Sequence, residues 1–167
     1  MIYMRFESDS DVDAFLERFE VGGFTATEWT HAAHVAMAGA YVLQCGEAAF
    51  FRIRAGIHHL NWHHGTITTP ERGYHETLTV FWTRILEAFC REHAGLARFD
   101  LLNLAMDKLP SALFKDYYGF DVVRSREARQ GWMAPDLRPL TTGDFHTSLH
   151  KTTWGRMLLP QNRWIPA

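Results

Sequence analysis

Two short segments of this chain carry the residue types best suited to chemistry. The first, residues 28–34, reads Glu-Trp-Thr-His-Ala-Ala-His, and the second, residues 73–77, reads Gly-Tyr-His-Glu-Thr. Imidazole is the commonest metal ligand in proteins and the commonest general acid or base, and a nearby carboxylate can move protons or orient the ring. Both segments combine histidine with a carboxylate and a hydroxyl, so they are the first place to look for a site.

The spacing in the first segment predicts that two histidines point in the same direction. Helix positions three apart differ by about 60° in direction, so His31 and His34 share a face and Glu28 lies one step further back on it. Both histidines lie in or beside the most apolar stretch of the chain, residues 32–43, where an isolated imidazole would lack hydrogen-bond partners. A shared metal ion would satisfy both rings together.

Helical periodicity and capping residues predict the elements that must position these segments. The predicted helices cover residues 11–19, 28–44, 47–64, 74–93 and 97–109, with short helices at 111–118 and 125–131. The second helix is apolar nearly all round, which is typical of a central, buried helix. The sequence therefore predicts an all-α, single-domain helical bundle over residues 1–141, followed by an irregular C-terminal tail over residues 142–167.

The order of these helices predicts that the two segments meet. One helix separates the second from the fourth, so an up-down-up arrangement makes those two run parallel and places both of their starts at one end of the bundle. The third helix runs the opposite way, and its C-terminal end returns there with Asn61 and His64. His75, in the first turn of the predicted fourth helix, is then a neighbour of His31 and His34.

This placement assigns provisional roles to nine residues. The predicted metal ligands are His31, His34 and His75; the predicted proton-handling residues are Glu76 and Glu28; the predicted substrate-binding residues are Tyr74, Asn61, His64 and Trp29. Three histidines with one open position are typical of a catalytic divalent metal ion, and Zn, Fe, Mn and Ni all stay open because ligand type does not fix the metal.

Two other interpretations of the cluster remain open. A di-iron carboxylate bundle would need a second Glu-x-x-His motif beside Glu28-x-x-His31, and the chain has none. A metal-free hydrogen-bonded network would satisfy the rings without any ion. The function hypotheses are accordingly a metal-dependent enzyme acting on a small molecule, a non-catalytic small-molecule-binding protein, and a structural protein with a hydrogen-bonded histidine core.

Composition limits which binding partners and which cellular compartment are expected. A net charge of −2 and a pI near 6.5 give no basic surface for nucleic acid or an anionic membrane. The start of the chain does not have the pattern of a signal peptide, and two cysteines are too few for a disulfide framework, so a cytoplasmic setting is expected. The expected partner is a small-molecule ligand or substrate, with no nucleic acid and no membrane, and a homo-oligomer stays open.

The two segments, together with residues 53–57, Asn61 and the stretch 128–140, resemble a family of small uncharacterised bacterial helical proteins with WTHxxH and GYHET segments. The resemblance covers residues 24–140 and leaves out the tail. It implies a helical fold, and it implies no particular activity.

Overall fold

A computed structural model of the protein describes residues 4–140, and the all-α prediction is confirmed there. The helices are α1 (Asp9–Glu20), α2 (His31–Cys45), α3 (Ala49–His63), α4 (Glu76–Glu92), α5 (Arg98–Lys108) and the short α6 (Arg126–Gln130). Short 3₁₀ helices cover Gly46–Ala48 and Leu113–Asp116, and no strand occurs within residues 4–140. The predicted tail, residues 142–167, lies outside the described residues.

Helix α2 is the central element of the bundle, as its apolar sequence predicts. It packs against α1, α3, α4 and α5, and its residues from Val35 to Tyr41 are all buried. Gly39 allows α5 to approach closely, because a Cβ atom there would come within 2.7 Å of Leu102 on α5. The small side chains of α2 therefore let four other helices pack closely around it.

The helix starts differ from the sequence predictions by a few residues. The structure begins α2 at His31 with Thr30 as its N-cap, three residues later than predicted, and begins α4 at Glu76 with His75 as its N-cap. Helix α1 begins at Asp9 with a capping box made by Ser8 and Asp11. Several candidate capping residues surround the starts of α1 and α2, and local sequence alone does not say which of them becomes the cap; α4 is capped by a histidine, which is not among the preferred N-cap residues.

The chain after α5 forms a second, smaller hydrophobic cluster against α4. Tyr117, Tyr118, Val122 and Ala128 are buried there around Phe81. The predicted short helix over 111–118 is replaced by the 3₁₀ helix Leu113–Asp116, whereas the prediction at 125–131 is confirmed as α6 with Ser125 as its N-cap. This segment matters for the site because it supplies partners for the GYHET residues.

Candidate functional site

A cavity of about 400 Å³ opens where the starts of α2 and α4 meet the second half of α3. The predicted convergence of these three helix ends is therefore confirmed. The apolar part of the wall consists of Val35, Met37, Ala38, Ile53, Ile57, Leu78 and Trp82. The remaining lining residues are Trp29, His31, His34, Asn61, Gly73, Tyr74, His75 and Thr79. A volume of this size suits a small molecule, and an apolar wall with a few polar groups is typical of a ligand pocket.

Two of the predicted metal ligands, His31 and His34, line this cavity with defined tautomers. The Nε2 atom of His31 lies 2.8 Å from the carbonyl oxygen of Leu109, and the Nδ1 atom of His34 lies 2.8 Å from that of Thr30. A carbonyl oxygen only accepts hydrogen bonds, so each of these nitrogens must carry a proton. In the neutral rings the other nitrogen, Nδ1 of His31 and Nε2 of His34, keeps a lone pair that has no partner within residues 4–140.

Aromatic contacts hold both of these rings in place. His34 packs against Trp29 with 4.4 Å between ring centroids, and His31 packs against Trp82 at 4.8 Å. Trp29 is itself stacked on Phe19 of α1 at 5.0 Å. Burial lowers the pKa of His34, so this ring is neutral and its Nε2 atom is a hydrogen-bond acceptor at neutral pH.

His75, the third predicted metal ligand, has both ring nitrogens occupied. Nδ1 accepts a hydrogen bond from the backbone N–H of Leu78 at 3.3 Å, which caps α4, and Nε2 donates to the carbonyl oxygen of Val122 at 2.9 Å. No lone pair is left on this ring for a metal ion in this arrangement. The structure gives His75 a structural role, although it lies beside the cavity where the sequence predicts it.

The metal centre as a whole is not supported by the geometry. Residues 4–140 contain no group of three or more His, Cys, Asp or Glu side chains placed to hold a metal ion. His31 and His34 are the two predicted ligands that keep a lone pair, and neither predicted carboxylate joins them. A metal ion at this end of the bundle therefore stays a prediction from the sequence.

Glu28 lies outside the cavity, on the surface turn before α2. Its carboxylate forms an ion pair with Arg18 at 2.7 Å and accepts hydrogen bonds from the N–H and the hydroxyl of Thr25. The hydrogen bond from Arg18 is the main reason that the pKa of Glu28 falls to about 2. The interpretation of Glu28 as a helix residue facing the histidines is wrong, because its partners hold it in the turn that precedes the helix.

Glu76 is buried in the first turn of α4, and it is only 6 % exposed. Its Oε2 atom lies 3.6 Å from Nε of Arg54 on α3, and that oxygen has no hydrogen-bond partner within the described part of the chain. The neighbouring Tyr74 hydroxyl is also buried and has no hydrogen-bond partner within residues 4–140, and burial together with Glu76 raises its pKa well above the ordinary value. Glu76 is absent from the cavity lining, whereas the Tyr74 side chain forms part of it.

The other predicted substrate-binding residues divide between the cavity and the surface beside it. Asn61 and Trp29 line the cavity, and their role in binding a substrate stays a prediction. His64 does not line it: its Nε2 atom donates to the carbonyl oxygen of Phe24 at 2.6 Å, which ties the end of α3 to the α1–α2 connection. Sequence reasoning missed Thr79 and the apolar wall, although the stripe Ile53, Ile57 and Asn61 at four-residue spacing marks one side of it.

The GYHET residues fasten the segment after α5 to α4. Thr77 is fully buried; its hydroxyl donates to the carbonyl oxygen of Gly131 at 2.6 Å and accepts from the N–H of Met133 at 2.9 Å. A hydrogen bond from the later segment joins the same two parts of the chain: the Arg129 side chain on α6 donates to the carbonyl oxygen of Gly73 at 3.0 Å. This motif therefore forms part of the fold's internal hydrogen bonding as well as one wall of the cavity.

The buried histidines make stability depend on pH. Burial is the largest cause that lowers the pKa values of His34, His58 and His75. The unfolded chain, with histidine pKa values near 6.5, then binds more protons than the folded chain, so the free energy of unfolding falls as pH decreases below about 6.5. Each of these histidines contributes at most about 1.4 kcal/mol per pH unit to that slope.

Urea unfolding between pH 7.5 and 5.5 measures this slope. Burial raises the pKa of Glu87, which opposes the trend, so the comparison with a variant is decisive. His58→Gln removes one titrating ring that packs on Tyr74 at 4.3 Å between centroids and forms no side-chain hydrogen bond within residues 4–140. The variant should show a shallower slope than the wild type; equal slopes would contradict the assignment of His58.

No protein family, no curated protein and no solved structure matches the chain. The resemblance to the family with WTHxxH and GYHET segments therefore stays a prediction from the sequence. Among the helices within residues 4–140, none is long and apolar enough to cross a membrane.

Proposed function

We propose that the protein binds a small, largely apolar molecule with one hydrogen-bond donor in the cavity between α2, α3 and α4. The observation that carries the proposal is the pairing of an apolar wall with two oriented imidazoles. His31 and His34 line the cavity, each is fixed by a backbone carbonyl, and each keeps one nitrogen that can accept a hydrogen bond. The apolar wall would supply affinity by excluding water, and the imidazoles would select ligands with a donor.

The polar residues around the cavity are consistent with such a ligand. The side-chain amide of Asn61 lines the cavity without a hydrogen-bond partner within residues 4–140, and it offers both a donor and an acceptor. Trp29 and Trp82 supply flat aromatic surfaces next to the two histidines. A planar ring system with a hydroxyl or N–H group has the matching chemistry, since aromatic faces favour stacked or edge contacts.

2-Naphthol is a suitable probe, because it combines an apolar bicyclic body with one hydroxyl donor. Isothermal titration of the tag-free protein should give one binding site, with weaker binding of 2-methoxynaphthalene, which lacks the donor. His34→Phe keeps an aromatic ring and removes the acceptor, so it should weaken 2-naphthol binding by about two- to tenfold, the worth of one hydrogen bond. Ala38→Leu should abolish binding by filling the cavity from α2.

His93→Phe is the matched control. The Nδ1 atom of His93 lies 2.8 Å from the carbonyl oxygen of Phe89, four residues earlier, and its ring packs on Phe89, so it repeats the local contacts of His34 outside the cavity. This variant should bind 2-naphthol like the wild type. The proposal would be contradicted if the wild type did not bind 2-naphthol. It would also be contradicted if the His34→Phe and Ala38→Leu variants bound 2-naphthol as tightly as the wild type does.

A metal-dependent enzyme acting on a small molecule is the second candidate. It is favoured by the tautomers of His31 and His34, since backbone carbonyls that fix a ring through one nitrogen commonly accompany metal ligation by the other. Elemental analysis of the tag-free protein tests it: stoichiometric Zn, Fe, Mn or Ni that is lost in His31→Ala would support it. A metal content that is low in the wild type and unchanged in His31→Ala would contradict it. The cytoplasmic setting and any homo-oligomer stay predictions.

A further inference from the structure

A second pair of histidines lies on α3, away from the cavity. His59 and His63 are four residues apart, and their Nε2 atoms are 3.1 Å apart. One full turn of helix separates them, so both side chains project from the same face. The cavity residues Ile57 and Asn61 lie two positions before each of them, which is about 200° around the helix axis. This pair therefore belongs to a different surface from the site described above.

The separation of the two nitrogens fits a shared metal ion. Imidazole nitrogens bind divalent transition metals at about 2.0–2.1 Å, so two donors 3.1 Å apart subtend an angle of about 95–102° at the ion. That angle lies between the octahedral and tetrahedral values. Without an ion, one Nε2–H donates to the other ring; with an ion, that ring carries its proton on Nδ1 instead and both Nε2 lone pairs face the metal.

Neighbouring groups restrict the motion of both rings. The His63 ring rests directly on Gly22, where a Cβ atom would come within 2.2 Å of its Cδ2. Trp62 packs edge-on against His63 with centroids 5.0 Å apart, and lies nearly parallel to His59 at 6.3 Å. Side chains that are already positioned lose less conformational entropy when they bind. His63 is exposed and His59 half-buried, so an ion can reach the pair from solvent.

We infer that His59 and His63 form a surface site for a divalent transition-metal ion that imidazole favours, such as Ni²⁺ or Zn²⁺. The two protein ligands occupy adjacent coordination positions, and water or a small anion fills the others. The site is independent of the cavity and of the function proposed for it.

Isothermal titration with Ni²⁺ tests the inference on protein without a purification tag. The test protein carries His146→Gln and His150→Gln, because these two residues form the other His-x-x-x-His spacing in the sequence. It should bind one Ni²⁺, and adding either His59→Gln or His63→Gln should weaken binding by at least about tenfold, because a single imidazole remains. His58→Gln, next to the pair on the same helix, should bind Ni²⁺ as the parent does.

The variants also separate this site from the histidines of the cavity. His34→Phe should leave Ni²⁺ binding unchanged. No Ni²⁺ binding by the parent protein would overturn the inference. It would equally be overturned by binding that survives His59→Gln and His63→Gln but is lost in His34→Phe, because the ion would then lie in the cavity.

Discussion

His75→Ala lowers the free energy of unfolding by about 2–4 kcal/mol in buffer that contains EDTA. The substitution removes the ring that caps α4 through Leu78 and leaves the buried carbonyl oxygen of Val122 without its donor. His75 is only 8 % exposed, so water does not replace these hydrogen bonds without cost. Urea unfolding at pH 7.5, where the ring is neutral, measures the loss.

His75→Asn separates the two hydrogen bonds. Asparagine is a good N-cap but its side chain is too short to cap α4 and reach Val122 at the same time, so this variant should recover part of the loss. A dependence of these stabilities on metal would instead support the ligand role that the sequence predicts for His75. In that case the wild type would be stabilised by metal, and the cost of His75→Ala would disappear in EDTA.

Thr77→Val lowers the free energy of unfolding by a similar amount, about 2–4 kcal/mol, although it preserves the shape of the side chain. Thr77 is fully buried, and its hydroxyl pairs with the Gly131 carbonyl and the Met133 N–H. Valine leaves both main-chain groups, which are partly buried, without this partner. Hydrogen exchange of the Met133 amide should accelerate more than that of amides in α2, because this contact holds the segment after α6 on α4.

Thr83→Val is the matched control for that substitution. Thr83 lies on the same helix and is 1 % exposed, but its hydroxyl donates only to the carbonyl oxygen of Thr79, one turn earlier in the helix. That carbonyl lies inside α4, where a backbone N–H one turn later also pairs with it, so the loss of the hydroxyl does not leave it unpaired. The control should therefore cost less than about 1 kcal/mol. Equal losses for Thr77→Val and Thr83→Val would show that the link to residues 131–133 adds nothing to stability.

Helical periodicity was sufficient to predict the architecture. The apolar stretch 32–43 predicts a buried central helix, and α2 is that helix. The order of three successive helices predicts that the two histidine-containing segments, residues 28–34 and 73–77, meet the end of α3. The cavity lies at that meeting point. These predictions succeed because the apolar residues that a helix buries recur at a fixed spacing, which can be recognised in a short stretch of sequence.

The roles of the individual polar residues depended on partners far away in the chain. His75 donates to Val122, 47 residues later, and Glu76 faces Arg54 from the preceding helix. Glu28, which spacing alone places beside His31, is held on the surface by Arg18. No periodicity reports such pairings, because they depend on how the helices and the irregular segments pack together.

The sequence by itself determined an all-α bundle and the place where two histidine-containing segments converge. Only the tertiary structure decided which imidazoles keep a free lone pair there. Backbone carbonyls occupy one nitrogen of His31 and of His34, whereas two main-chain groups occupy both nitrogens of His75. An imidazole has two nitrogens, and its chemistry depends on what each of them already contacts. That is a property of packing, and residue type and spacing do not contain it.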